Sequence, residues 1–111
     1  MQISVDRREG QAAVVTPEGR LDLASASEFK QTLNEVVEAG DRLIVVDLGR
    51  VPFVDSSGLG ALISGLKVTR LAGGDLRIAQ VGEQARLILE LTTLDKVIKL
   101  YATVEEALRD H

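Results

Sequence analysis

Length, composition and charge place narrow limits on what this chain can do. It has 111 residues and a net charge of −4, and this length is enough for one domain with one core. It has no cysteine, which excludes disulfides and thiolate chemistry and fits a reducing compartment. The acidic balance argues against nucleic-acid binding, which needs clustered Lys and Arg, and because no signal peptide or membrane-spanning run is evident, we expect a single cytoplasmic domain over residues 1–111 that does not insert into a membrane.

The first part of the chain predicts a β-hairpin. Residues 2–6 alternate apolar and polar side chains, as a half-buried strand does, and residues 12–16 form a second strand-like run. The short spacing between them favours antiparallel pairing. We expect Pro17 and Gly19 to end the second strand.

A helix is predicted next, over residues 25–39. Ser25 and Glu28 match a capping box, in which each side chain bonds a backbone N–H at the helix start. Gly40 supplies the stop signal at the other end. The apolar residues that fall on one face are Phe29, Leu33, Val36 and Val37.

The centre of the chain predicts a buried strand, a loop and a long helix. The β-branched run at 43–47 is typical of a strand buried on both faces. Pro52 belongs to the connection that follows, because proline fits neither a sheet ladder nor a helix interior. The helix covers residues 56–71, and its core stripe consists of Leu59, Leu62, Ile63 and Leu66.

A second face of this long helix is unusual because its residues are small. Gly58, Ala61, Gly65 and Val68 lie together on it, with Gly60 beside them. Either another element packs closely against this face, or the face is a smooth surface on which a partner protein docks. The sequence leaves both interpretations open.

The last part of the chain continues the alternation of strands and helices. A strand is predicted at 75–79, a helix at 83–91 and a short strand at 97–101. Thr103 and Glu106 form a capping box that opens a final helix. The resulting order, β-β-α-β-α-β-α-β-α, indicates an α/β fold in which helices pack on a mixed, mostly parallel sheet of about five strands.

Enzymatic chemistry finds little support in the sequence. A serine nucleophile needs a base, usually histidine, and the only histidine is His111, the last residue. The sequence contains no G-x-S-x-G elbow, Walker loop or EF-hand spacing. Asp47 ends the central strand, and we expect it to satisfy backbone donors of the next loop rather than to accept a phosphoryl group. We therefore expect no enzyme activity, metal or cofactor.

Asp55, Ser56 and Ser57 stand where the long helix begins. The first N–H groups of a helix lack partners, so they accept side-chain caps and also attract anions such as phosphate. These residues are therefore either helix caps or a site where a hydroxyl can become a phosphate ester. Local chemistry alone does not decide between the two.

Four segments carry a family resemblance. They are 19–22 (Gly-Arg-Leu-Asp), 45–48 (Val-Val-Asp-Leu), 54–60 (Val-Asp-Ser-Ser-Gly-Leu-Gly) and 73–76 (Gly-Gly-Asp-Leu). On these residues the chain, over essentially its whole length, resembles a STAS domain of the anti-sigma factor antagonist (anti-anti-sigma factor) type. The resemblance implies a STAS-type fold and a protein-binding function.

The family resemblance also implies a phosphorylation switch. Such a domain, when unphosphorylated, sequesters an anti-sigma factor that is also a serine kinase with a histidine-kinase-like ATPase fold, and so frees a sigma factor. The kinase modifies the serine after the aspartate, here Ser56 with Ser57 as second choice, and a metal-dependent serine phosphatase reverses the step. The expected partner-binding residues are Arg20, Asp22, Asp55, Ser56, Ser57, Gly58, Gly60 and Ala61.

Two other roles remain open for a domain of this kind. STAS domains also serve as constitutive subunits of transporters and signalling complexes, in which case Ser56 would be a cap and the small helix face a permanent interface. Some members are thought to sense nucleotides, although no Gly-Lys loop in this sequence supports that role.

Overall fold

The computed structural model, which describes residues 1–110, is an α/β fold built on one five-stranded sheet. His111 lies outside the described residues. The strands are β1 (Gln2–Arg8), β2 (Ala12–Glu18), β3 (Leu43–Asp47), β4 (Asp75–Ala79) and β5 (Leu100–Tyr101). The helices are α1 (Ala26–Glu38), α2 (Ser56–Leu71), α3 (Glu83–Leu91) and α4 (Val104–Arg109), with a 3₁₀ turn at Leu94–Lys96. The predicted order of elements is confirmed.

The strands lie in the sheet in the same order as in the chain. β1 is antiparallel to β2, and the other neighbouring strands are parallel, so the predicted mixed sheet is confirmed. Because crossovers between parallel strands are right-handed, an unreversed strand order places α1, α2 and α3 on one face. α4 covers the other face, where Ala107 packs on Val14, Val45 and Ala79.

The main core lies between the sheet and the first helices. The predicted face of α1 is fully or nearly buried. In α2, Leu59, Leu62 and Leu66 are buried, whereas Ile63 is only half-buried. None of the helices described for residues 1–110 combines the length and apolarity needed to cross a membrane.

The small face of α2 packs against α1 and, at Gly58, against the loop before α1. Gly58, Ala61 and Gly65 are buried, and a Cβ atom at Gly65 would collide with the Leu33 side chain of α1. For these three residues, close packing of another element is the correct interpretation. Gly60 differs, because it is exposed and a Cβ atom there would meet nothing within 4 Å.

The strand boundaries differ from the predictions at three places. β1 continues to Arg8, and β2 runs through Pro17 to Glu18. Pairing of β2 with β3 ends at Val15, so Pro17 lies where β2 has only β1 beside it and its missing N–H interrupts no second ladder. β5 is restricted to two residues, because the amides of Val97 and Ile98 donate to Leu94 in the 3₁₀ turn.

The capping box predicted at Ser25 and Glu28 is wrong. Ser25 precedes α1, but its side chain makes no cap hydrogen bond. Its hydroxyl instead donates to the Arg20 carbonyl oxygen at 2.7 Å and accepts from the Asp22 N–H at 3.1 Å. The second predicted box is confirmed in part, since the Thr103 hydroxyl accepts from the Glu106 N–H at 3.1 Å.

Candidate functional site

The start of α2 lies where two loops run side by side. The loop before α1 and the loop before α2 pair like parallel strands at Leu21 and Val54. The Leu21 N–H donates to the Phe53 carbonyl oxygen at 2.9 Å, and the Asp55 N–H donates to the Leu21 carbonyl oxygen at 3.2 Å. The Gly-Arg-Leu-Asp and Asp-Ser-Ser-Gly segments of the sequence are therefore neighbours in space.

Asp55 holds the two loops together at this point. One carboxylate oxygen accepts from the Gly58 N–H at 3.0 Å, which makes Asp55 the cap of α2. The other accepts from the Leu23 N–H at 3.2 Å, in the loop before α1. A single side chain therefore satisfies an orphan donor of the helix and also ties the neighbouring loop to it.

Ser56 and Ser57 are the first two residues of α2, and neither acts as a cap. Ser56 is exposed and Ser57 is half-buried. Within residues 1–110, neither hydroxyl hydrogen-bonds to another protein group. The interpretation of the serines as caps is therefore wrong, because Asp55 performs that task. Both hydroxyls remain available for other chemistry.

The first turn of α2 contains no acidic side chain. The first turns of α1, α3 and α4, by contrast, each contain at least one glutamate. A helix N-terminus carries about half a positive charge, and at α2 the Asp55 carboxylate is the charged group that caps it. Ser56 therefore has one carboxylate beside it, that of Asp55, and no acidic side chain in its own turn.

Arg20 and Asp22 form a polar edge beside the helix start. The Arg20 guanidinium lies over the Phe53 ring, 4.1 Å from its centroid, and its Nε is 3.5 Å from an Asp22 carboxylate oxygen. The Ala24 N–H donates to the other Asp22 oxygen at 3.1 Å. The Arg20 side chain is 62% exposed, so this ion pair lies at the surface.

The three small residues of the predicted site occupy different environments. A Cβ atom at Gly58 would collide with the Leu21 carbonyl oxygen, so only glycine allows the two loops to approach this closely. Ala61 is 4% exposed. Gly58 and Ala61 are therefore buried beneath the surface of the site, whereas Gly60 is exposed to solvent. A hollow of about 190 Å³ lies between α1 and α2, lined by Ala26, Ser27, Lys30, Ser57, Gly60 and Ala61.

Two residues of the site were missed from the sequence. Leu23 is 78% exposed at the tip of the loop before α1, next to its bond with Asp55. In the sequence Leu23 is a single leucine between Asp22 and Ala24, which only weakly indicates an exposed apolar residue at a binding site. Gln84, in the first turn of α3, hydrogen-bonds to the backbone of Val54 at 2.8 Å. Its contact spans thirty positions of the chain, so no local pattern indicates it.

Asp47, the last residue of the central strand β3, has structural partners. Asp47 accepts from the Gly49 N–H at 2.9 Å, which confirms that it satisfies a backbone donor of the following loop. It also accepts from the Gln80 side-chain amide at 3.0 Å, just after β4. In the part of the chain that the structure describes, no three Asp, Glu, His or Cys side chains cluster in a way that could hold a metal ion.

Comparison with known proteins relates this chain to one family. The STAS domain family matches residues 2–107. The anti-sigma-F factor antagonist RsfB of Mycobacterium tuberculosis is 31% identical over 98 residues, which cover 86% of this chain and 78% of that protein. The anti-sigma-B factor antagonist of Bacillus subtilis is 28% identical over 106 residues, or 95% of this chain and 96% of that protein. The crystal structure of an anti-sigma factor antagonist from Mycobacterium paratuberculosis matches with a TM-score of 0.86 at 30% identity, covering 96% of this chain and 90% of that one.

Proposed function

The chain belongs to the STAS domain family, and from this premise we propose that it is an anti-sigma factor antagonist whose partner binding is switched by phosphorylation of Ser56. It works as a regulatory binding protein in the cytoplasm and not as an enzyme. Similarity to anti-sigma factor antagonists over most of the chain supports this role. The partner is an anti-sigma factor that is also a serine kinase, and a metal-dependent serine phosphatase restores the binding state.

The unengaged hydroxyl of Ser56 is the observation that carries the proposal. Because Asp55 already caps α2, phosphorylation of Ser56 removes no hydrogen bond from the fold. Exposure gives a kinase access to the hydroxyl, and the helix N-terminus favours the phosphate that is added.

The effect of the phosphate falls on the interface rather than on the fold. A phosphoserine brings about −1.5 to −2 charges, next to Asp55 in the chain. A partner surface that fits a neutral hydroxyl must then desolvate this charge and tolerate its repulsion. A penalty of roughly 2–4 kcal/mol would weaken binding by about 30- to 1,000-fold, with no large conformational change. The partner would contact the exposed residues Arg20, Ser56 and Gly60 and the half-buried Asp22.

Substitution of Ser56 tests the switch directly. The Ser56→Ala protein is used as bait to capture the kinase, and binding of the purified kinase is then measured by calorimetry. We expect Ser56→Ala to bind like the unmodified wild type and Ser56→Asp to bind at least tenfold more weakly. Incubation of the wild type with kinase and ATP should add one phosphate, which peptide mass spectrometry should locate at Ser56.

Ser4→Asp is the matched control, because it adds the same charge at an exposed serine of β1, away from α2. It should bind the kinase like the wild type. Modification at Ser57 alone, or continued phosphorylation of Ser56→Ala, would reject the site assignment. Equal binding by wild type and Ser56→Asp would reject the switch and favour a constitutive subunit of a transporter or signalling complex.

A further inference from the structure

The segment that carries Ser56 is held from both sides. Hydrogen bonds on one side join Leu21 to Phe53 and Asp55, as in a parallel strand pair. In such a pair the N–H and carbonyl groups of the intervening residue point the other way. Val54 is that residue, and it is fully buried. Its two backbone groups therefore need partners on the far side, because buried backbone groups are almost always paired.

Gln84 supplies both of these partners. Its side-chain oxygen accepts from the Val54 N–H at 2.8 Å, and its side-chain nitrogen donates to the Val54 carbonyl oxygen at 2.8 Å. The amide thus bonds Val54 as the backbone of a neighbouring strand would. The orientation of the amide is fixed by chemistry, since only its NH₂ group can donate to a carbonyl oxygen.

We propose that Gln84 is a positioning residue for the phosphorylation switch: it links α3 to the loop before α2 and sets the place of the Ser56 hydroxyl. The inference rests on the proposed function of Ser56. Gln84 lies in α3, where Ala85 and Leu89 are buried in the core, so the amide is anchored on a packed helix. Val54 is only two residues before Ser56, and a displacement at Val54 passes directly along the backbone to the acceptor serine.

Two substitutions separate this role from general stability. Gln84→Met keeps the length of the side chain but removes both hydrogen bonds, and Gln84→Glu keeps an acceptor for the Val54 N–H. Phosphorylation by the partner kinase is measured at a temperature where circular dichroism shows every variant folded. Since misplacement by about 1 Å can cost roughly 100-fold in rate, we expect kcat/KM for Ser56 to fall about 10- to 100-fold in Gln84→Met. It should also fall in Gln84→Glu, because the second carboxylate oxygen would face the Val54 carbonyl oxygen, which now has no donor.

Amide hydrogen exchange of Val54 gives a second readout that needs no kinase. Exchange should be faster in Gln84→Met than in the wild type. The matched control is Gln31→Met, the same change at an exposed glutamine of α1, and it should change neither readout.

The two proposals fail in distinguishable ways. A Gln84→Met protein with unchanged kcat/KM overturns the positioning role, even if its melting temperature falls. A wild type that is never phosphorylated at Ser56 rejects the switch itself. In that case the exchange measurement decides whether Gln84 orders the loop: faster exchange at Val54 supports it, and unchanged exchange overturns it.

Discussion

Substitution of two glycines in the same helix should have opposite effects on stability. Gly58 and Gly60 both lie in the first turns of α2, where alanine is intrinsically favoured over glycine by about 1 kcal/mol. Helix propensity alone therefore predicts that either substitution to alanine raises the free energy of unfolding. Their surroundings differ, however, and the surroundings should decide the sign.

The magnitude follows from what a Cβ atom would meet. At Gly58 the new atom would collide with the Leu21 carbonyl oxygen and lie 2.9 Å from the Leu21 Cγ and 3.0 Å from a Val54 methyl carbon. The Leu21 carbonyl oxygen belongs to the backbone and cannot rotate away from the new Cβ atom as a side chain could. The overpacking cost of about 1–3 kcal/mol should therefore exceed the gain in helix propensity. At Gly60 nothing lies within 4 Å, and the gain should be about 0.5–1 kcal/mol.

Thermal unfolding followed by circular dichroism measures both variants. For a chain of this size, 1 kcal/mol corresponds to a shift in Tm of about 4–5 °C. We expect Gly58→Ala to lower Tm by several degrees and Gly60→Ala to raise it by about 2–5 °C. Equal shifts of the same sign in the two variants would refute the claim that Gly58 is required for close approach of the two loops.

Two further predictions concern side-chain hydrogen bonds. Asp55→Ala removes the bonds to the amides of Gly58 and Leu23 and should lower the free energy of unfolding by about 1–2 kcal/mol in a denaturant titration. Asp55→Asn keeps one oxygen for the Gly58 N–H but loses the acceptor for the Leu23 N–H, so it should lower the free energy of unfolding by less; equal losses in the two variants would contradict the capping role. Burial and the hydrogen bond to Asp110 raise the pKa of Tyr101 above its ordinary value of 10.0. Tyr101 is the only tyrosine and tryptophan is absent, so the ultraviolet absorbance of the phenolate measures the ionisation of this one side chain. The pKa obtained from a pH titration of this absorbance should lie above 10.0. Because the pKa is raised in the folded state, the contribution of Tyr101 to stability is fully present below the unfolded-state pKa and is lost as pH rises through the folded-state pKa. A measured pKa of 10.0 or below would refute the claim that burial and Asp110 raise it.

The spacing of apolar residues and the glycines and prolines that end helices and strands were sufficient to predict the order of the helices and strands. The buried face of α1 and the ends of α2 follow from the spacing of apolar residues and from Asp55, which are local features. The short β5 could not be predicted in the same way. The apolar run at 97–101 resembles a strand, but the backbone of Val97 is used by a turn that begins with a left-handed residue, Thr93.

The candidate site was predicted less completely than the fold. The Asp-Ser-Ser sequence located it, but the sequence did not show which residue was the cap and which hydroxyls were unengaged. That distinction depends on the direction of the Asp55 side chain, which also reaches the Leu23 amide across the fold. Gln84 lay beyond prediction because its partner is a backbone segment far along the chain, and a glutamine in a helical first turn is unremarkable.

The sequential strand order has a consequence for how the molecule forms. Each parallel strand of this sheet pairs with the strand that precedes it in the chain, so every new βα unit can add to a surface that already exists. The parallel pairings still join residues about thirty positions apart, since Val14 faces Val45 and Val45 faces Arg77, and such pairings form more slowly than local contacts. We therefore expect the strands to join the sheet in chain order, without a later rearrangement of their pairing. Synthesis from the N-terminus presents the strands in the order in which they pair, and the sheet is complete only when Leu100 and Tyr101 pair with β4.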